Sequence, residues 1–177
     1  MEKPLRLNMG CGSDIRTGYI NLDNAELEGV DVAHSLESFP YPFEDDTFEE
    51  IILINVLEHL EDTIKVMEEI WRIARPGAKV ILRVPYWNSM DSITDPTHKK
   101  FFNQNTFDFF DPSTKRCRNR PYYSTARFSI DREFYYVKFL KYFKTRNPLF
   151  KGLLDIVSHH LNNVIWVLEY ELKVLKP

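Results

Sequence analysis

The run Ile51-Ile-Leu-Ile54 is apolar at every position and lacks the alternation of a half-solvated strand. Such a strand must be covered on both faces, which points to the interior of a parallel sheet rather than to a sandwich or hairpin. The neighbouring sequence supplies partners for it. Leu5-Arg-Leu-Asn-Met9 is a short apolar run that breaks at Gly10-Cys-Gly12, and residues 19–23 and 30–34 are two further short runs of the same kind. From Asp62, a plausible N-cap, Val66, Met67, Ile70, Trp71 and Ala74 recur at helical spacing, and Pro76-Gly77 is expected to stop that helix. Residues 79–84 follow as another strand. Residues 88–121 are turn-rich apart from a short helix expected over 103–110. Residues 127–139 read as a strand, 155–163 as a helix, and 166–174 as an alternating final strand that would form an antiparallel, exposed or paired edge. Strands joined by helical or irregular crossovers predict an α/β sheet with right-handed connections.

At 177 residues the chain has room for one domain with a real core. No stretch of roughly 20 residues is free of charge, and the opening Met1-Glu-Lys-Pro carries no apolar leader, so the expectation is a cytoplasmic protein. Cys11 and Cys117 stand alone, which excludes a disulfide framework. The net charge of −3 conceals segregation: residues 97–146 carry +8 and the remainder −11. The same window holds 14 of the 25 aromatic residues, so basic and ring-bearing side chains interleave there as they do where an anionic or aromatic partner binds.

Gly10-Cys-Gly12 closing a first strand, with Asp23 closing a second, suggests a nucleoside site. Glycine lets the backbone approach a ligand closely, and an acid at the next strand tip can accept both hydroxyl hydrogens of a ribose. The dinucleotide fingerprint is not met: its third glycine would fall at Ile15, and the acid comes 11 residues after Gly12. The histidines at 34, 59, 98, 159 and 160 show no metal-ligand spacing, so no metal is expected, and neither a Gly-x-Ser-x-Gly elbow nor a phosphate loop occurs.

In order along the chain, Leu7-Asn-Met-Gly-Cys-Gly12, Gly18-Tyr-Ile-Asn-Leu-Asp23, Phe39-Pro-Tyr-Pro-Phe-Glu-Asp-Asp-Thr-Phe48, Asn55-Val-Leu-Glu-His-Leu60 and Arg72-Ile-Ala-Arg-Pro-Gly77 together resemble the class I S-adenosylmethionine-dependent methyltransferases, in particular the small single-domain type 11 group. The resemblance implies a Rossmann-like fold with a mostly parallel seven-stranded sheet, one antiparallel strand, and helices on both faces. It implies that Gly10, Cys11 and Gly12 line the methionine part of S-adenosylmethionine and that Asp23 holds its ribose. Ser35 and Leu36 would border the adenine, and Asn55 would face the methionine or sulfonium end, with Glu58 and His59, counted among the cofactor-binding residues, following in the loop. Ser35 stands where the family often has Asp, and the segment between Gly12 and Asp23 is short for a full first helix.

Methyl transfer needs little beyond holding acceptor, methyl carbon and sulfur in line and dry. For a hydroxyl acceptor a base would help, and His98 with Asp95, in Asp95-Pro-Thr-His98 after the fifth strand, is the candidate. Residues 5–87 are read as a cofactor core, 88–125 as an acceptor-side cap, and 126–177 as C-terminal strands and helix of the same domain. The expected acceptor is a small molecule, anionic or ring-bearing. An RNA methyltransferase using the basic window is the alternative, as is a noncatalytic S-adenosylmethionine-binding or partner protein.

Overall fold

The computed structural model describes residues 5–137, 143–145 and 147–176. It holds one eight-stranded sheet: β1 (Arg6–Met9), β2 (Ile20–Asp23), β3 (Val32–Ala33), β4 (Phe48–Ile54), β5 (Ala74–Pro85), β6 (Phe128–Val137), β7 (Phe143–Thr145) and β8 (Ile165–Val174). Their order across the sheet is β3-β2-β1-β4-β5-β8-β6-β7. The first five strands are mutually parallel, and β8 runs antiparallel between β5 and β6. The expected seven-stranded frame is thus present, extended at one edge by the short strand β7, which is antiparallel to β6. Phe139, the end of the strand expected over 127–139, lies outside the described residues.

Leu7, Met9, Ile51, Ile52 and Leu53 are all buried, so β1 and β4 are covered on both faces as an uninterrupted apolar run requires. The chain leaves β1 toward β2 on one side and returns after β3 to β4 on the other. This reversal opens a crevice beyond the carboxyl ends of β1 and β4, where open α/β sheets bind ligands.

Helix α1 (Thr63–Ile73) joins β4 to β5 and packs Val66, Met67, Ile70 and Ile73 inward; the Asp62 carboxylate caps it by accepting from the Lys65 N–H at 3.0 Å. It ends earlier than Pro76-Gly77 suggested. Ala74 is already extended and pairs with Phe48, while Glu50 pairs with Lys79, so Pro76 and Gly77 sit in a bulge of β5 instead. Four short helical pieces follow β5, namely α2 (Met90–Thr94), a 3₁₀ turn at Phe107–Phe109, α3 (Lys115–Asn119) and a second 3₁₀ turn at Pro121–Tyr123; α4 (Pro148–His160) precedes β8. Helix α4 begins seven residues ahead of expectation because Asn147 caps it, accepting from the N–H groups of Leu149 and Phe150, with Pro148 at its first position.

The crossovers 10–19, 24–31 and 34–47 contain no helix. Polar pegs hold them in place of helix packing. Asn21 is buried; its Oδ1 accepts from Arg16 N–H at 2.9 Å and from Asn8 Nδ2 at 3.1 Å, and its backbone N–H donates to Asp31 at 2.7 Å. The 34–47 segment is tied to α1 by the Arg72 guanidinium, which donates to the carbonyls of Tyr41 and Phe43 and to the carboxylates of Asp45 and Glu69. Arg72→Met is expected to cost about 2 kcal/mol in urea unfolding, because it strips these acceptors of a charged donor at once. A loss below experimental error would show that the segment is held by Tyr41 packing alone.

The C-terminal strand is not an edge. β8 alternates with charges because those charges are paired on the sheet: Glu169, buried, accepts from Arg83 at 2.6 Å and Tyr136 at 2.8 Å, and Glu171 accepts from Arg132 at 3.0 Å. Pairing of two chains through this strand is therefore ruled out by its position. No helix of the described residues is long and apolar enough to cross a membrane.

Candidate functional site

The tip of β1 turns sharply at Gly10 (φ 66°) and Gly12 (φ 47°), a backbone region that side chains disfavour. The N–H groups of Gly10 and Cys11 both donate to the Leu22 carbonyl, at 2.8 and 3.0 Å, which fastens this turn to β2. Gly12 N–H donates to Asp23 Oδ2 at 2.8 Å and Ala25 N–H to Oδ1 at 3.0 Å, so the carboxylate is fixed at the strand tip with lone pairs to spare. A cavity of about 430 Å³ opens there, lined among others by Gly10, Asp23, Ser35, Leu36, Asn55 and His59. Its size is within the roughly 300–1,000 Å³ typical of small-molecule sites. Asn24, Glu37, Val56, Leu60, Thr97 and Lys99 complete the wall and were not singled out by the sequence, although Val56, Leu60 and Thr97 lie inside quoted motifs.

Three expected residues fall elsewhere. Cys11 is buried beneath the turn, where burial and then the charge of Asp23 push its thiol upward, so it is neither a lining group nor a nucleophile. Gly12 contributes its N–H to Asp23 rather than a wall to the cavity. Glu58 lines a second cavity instead.

That second cavity, of about 540 Å³, is bounded by Asn55, Glu58, His59, Asp91, Asp95 and His98, with Pro85 and Val167 behind them. Asn55 and His59 line both cavities, so the turn after β4 is the partition between them. Asn55 adopts a left-handed conformation (φ 55°) and donates its N–H to the Arg83 carbonyl at 2.9 Å; this sends the chain into the 3₁₀ turn Leu57–His59. The Glu58 carbonyl accepts from Lys99 and Lys100 N–H at 2.7 and 3.1 Å, which brings the loop carrying Asp95, Thr97 and His98 against that turn. The rings of His59 and His98 lie 4.7 Å apart edge to face.

The protons on these rings follow from their partners. The single hydroxyl hydrogen of Thr97 goes to Asp95 Oδ1 at 2.6 Å, so Thr97 Oγ1 accepts at 2.9 Å from Nδ1–H of His59. The Ser92 carbonyl can only accept, so His98 Nδ1–H donates to it at 3.1 Å. In the neutral tautomer that these partners select, each ring has its lone pair on Nε2. Burial, and after it His98, lowers the His59 pKa and keeps that ring neutral, whereas the two hydrogen bonds from Thr97 hold Asp95 below the usual carboxylate range. The Asp95 carboxylate is engaged by Thr97 and orients His59 through it; the Asp95 backbone carbonyl accepts from His98 N–H at 3.2 Å, but the carboxylate makes no hydrogen bond to the His98 ring among the described residues.

Tyr86 is buried packing, its hydroxyl within 3.2 Å of Gln104 and Ser158. Of the basic window, Arg120 lies over the rings of Phe109 and Tyr123, and Tyr122 is exposed; Lys138, Lys141 and Arg146 lie outside the described residues.

The sequence profile of a family described as a methyltransferase domain matches residues 11–82. Among curated proteins, no sequence matches the chain. Among solved structures, a SAM-dependent methyltransferase from Archaeoglobus fulgidus superposes with a TM-score of 0.63 at 16% identity, covering 96% of this chain and 86% of that one. The YcgJ protein of Bacillus subtilis gives 0.59 at 13% identity, covering 99% and 93%. Phosphoethanolamine N-methyltransferase 2 of Haemonchus contortus, solved with S-adenosyl-L-methionine, gives 0.54 at 16% identity, covering 100% of this chain and 50% of that one. At these identities the likeness is one of fold.

Proposed function

We propose that this chain is a class I S-adenosylmethionine-dependent methyltransferase, a reading its domain match and fold support, and that it moves the methyl group to a small-molecule acceptor held in the cavity beside His98. The observation that carries this reading is the shared partition: two cavities meet at Asn55 and His59, one rooted at Gly10 and Asp23 and the other at the 91–98 loop.

The residues of the first cavity fit the cofactor. A partly buried carboxylate with free lone pairs at the β2 tip suits a ribose diol, the turn at Gly10 gives close backbone approach, and Leu36 offers an apolar border for a base. Bound S-adenosylmethionine supplies an electrophilic methyl on a sulfonium leaving group. Asp23 holds, Ser35 and Leu36 border, and Asn55 with His59 keeps the two ligands in line across the partition. The acceptor's proton has two lone pairs to reach, the Nε2 atoms of His98 and His59; Asp95 and Thr97 set the angle of the latter. Residues 5–87 thus act as the cofactor core, 88–125 as the acceptor-side cap and 126–177 as the sheet's completion, in one domain.

Calorimetric titration tests the reading. The chain is expected to bind S-adenosylmethionine and S-adenosylhomocysteine but not NAD, and Asp23→Ala to weaken both by about 1–2 kcal/mol, roughly tenfold, since it loses hydrogen bonds to a charged group. Binding of NAD alone would overturn it. Incubation with methyl-labelled cofactor then separates acceptor classes: label on RNA, with binding that falls steeply as salt rises, would replace the small molecule with a nucleic acid, for which the exposed Arg120 and Tyr122 would be the track. Binding without label on any acceptor would make the chain a noncatalytic cofactor-binding protein.

A further inference from the structure

Two imidazole lone pairs and a carboxylate are more than one departing proton requires. Glu58 Oε1 or Oε2, His59 and His98 bring one ligand atom each to within 4.8 Å of one another, although they come from two segments some forty residues apart. We propose that Glu58, His59 and His98 form a site for a first-row divalent transition-metal ion, open toward the acceptor cavity.

Three observations converge on it. Glu58 is 1% exposed, and neither carboxylate oxygen has a hydrogen-bond partner among the described residues. A carboxyl group buried without a donor is costly, and a cation is the partner that removes the cost. Each histidine donates Nδ1–H to a fixed oxygen, His98 to the Ser92 carbonyl and His59 to Thr97, which Asp95 in turn anchors. That is the outer arrangement that aims Nε2 at a metal and fixes the ring. The third is the frame: the Glu58 carbonyl clamps the backbone of Lys99 and Lys100, and the Lys99 ammonium is drawn aside to Glu37 and Glu61 at 3.1 Å each, so it does not compete for the three ligands.

Two imidazoles and a carboxylate favour zinc, iron or cobalt over magnesium or calcium, which take oxygen ligands. Three protein ligands leave coordination positions free, and here these face the cavity lined by Asp91 and Asp95. With the ion bound, both Nε2 atoms would be ligands and no longer proton acceptors; an acceptor oxygen would bind the ion instead, which would lower its pKa so that solvent can take the proton, and the site would select hydroxyl- or carboxylate-bearing molecules. This selection rests on the methyl-transfer reading; the metal site itself does not.

The test is titration of the tag-free full chain, stripped with chelator and dialysed, with Co²⁺ alone, followed by visible absorption. One equivalent is expected to saturate the signal, Zn²⁺ to displace it, and Glu58→Gln and His98→Gln each to weaken binding at least tenfold, while His159→Gln on α4, outside the cluster, leaves it unchanged. Thermal unfolding of each variant reports whether it folds; His98, half-exposed on a loop, keeps the test valid if Glu58→Gln does not. Absence of a stoichiometric signal, or its persistence in His98→Gln, overturns the metal site. Titration of the stripped wild type with S-adenosylhomocysteine is run in parallel. Nucleoside binding without Co²⁺ binding defeats the metal site alone, and the reverse defeats the methyltransferase reading alone.

Discussion

Gly10→Ala is expected to destabilise the chain by about 3 kcal/mol and to abolish measurable binding of S-adenosylhomocysteine. Two independent penalties meet at this residue. Its φ of 66° is strained for any side chain, and the backbone cannot rotate away because the N–H groups of Gly10 and Cys11 share the Leu22 carbonyl. A Cβ there would stand 2.6 and 2.8 Å from the two methyl groups of Val56. Val56 is β-branched and stiff, and it walls the cavity at the β1 and β2 tips next to Asn55, so any relief must come from pushing that wall. Gly12→Ala is the internal control: its φ is also positive, but a Cβ would meet nothing within 4 Å among the described residues, leaving only about 1 kcal/mol of strain. Urea unfolding and calorimetry on the pair decide the matter. Equal losses in the two variants would mean that strain alone acts and that Val56 yields freely.

Chelator-treated wild type is expected to lose stability relative to Glu58→Gln as the pH is raised from 4.5 to 8. Burial, with the Asp95 charge adding to it, pushes the Glu58 carboxyl up from its ordinary 4.5 to about 7. The folded state therefore holds this proton more tightly than the unfolded chain does. The stabilisation is complete below about pH 4.5, shrinks across the interval and is gone above about pH 7, a span of about 3 kcal/mol. Glutamine has no such proton, so the difference between the two unfolding free energies isolates the group from every other titration. Parallel pH curves for the two proteins would show that water reaches the carboxylate in the folded chain.

Much of this architecture was legible because burial writes itself into the sequence where both faces of a strand are covered. Ile51 to Ile54 and Leu7 to Met9 announced the central strands, and Asp62 with Val66, Met67 and Ile70 announced α1. Other features left no periodic trace. The helix-free crossovers depend on single buried amides, Asn8 and Asn21, whose role is fixed by what they meet rather than by spacing. The interior place of β8 was masked by Glu169 and Glu171, which look solvated in sequence and are instead paired across the sheet with Arg83 and Arg132. The Gly10–Asp23 pairing was readable as a motif, since adjacent parallel strand tips bring their last residues together. The convergence of Glu58 and His59 with His98 was not: it exists only because one carbonyl captures the Lys99 and Lys100 amides.

The turn Leu57–His59, with Asn55 ahead of it, belongs to both cavities at once. An occupant on either side must settle the same few residues, and the entropy of settling them is lost only once. The two sites are therefore expected to be thermodynamically linked through these residues, beyond whatever contact their occupants make. Whatever factor a ligand on the His98 side adds to the affinity for the nucleoside, the nucleoside returns in equal measure.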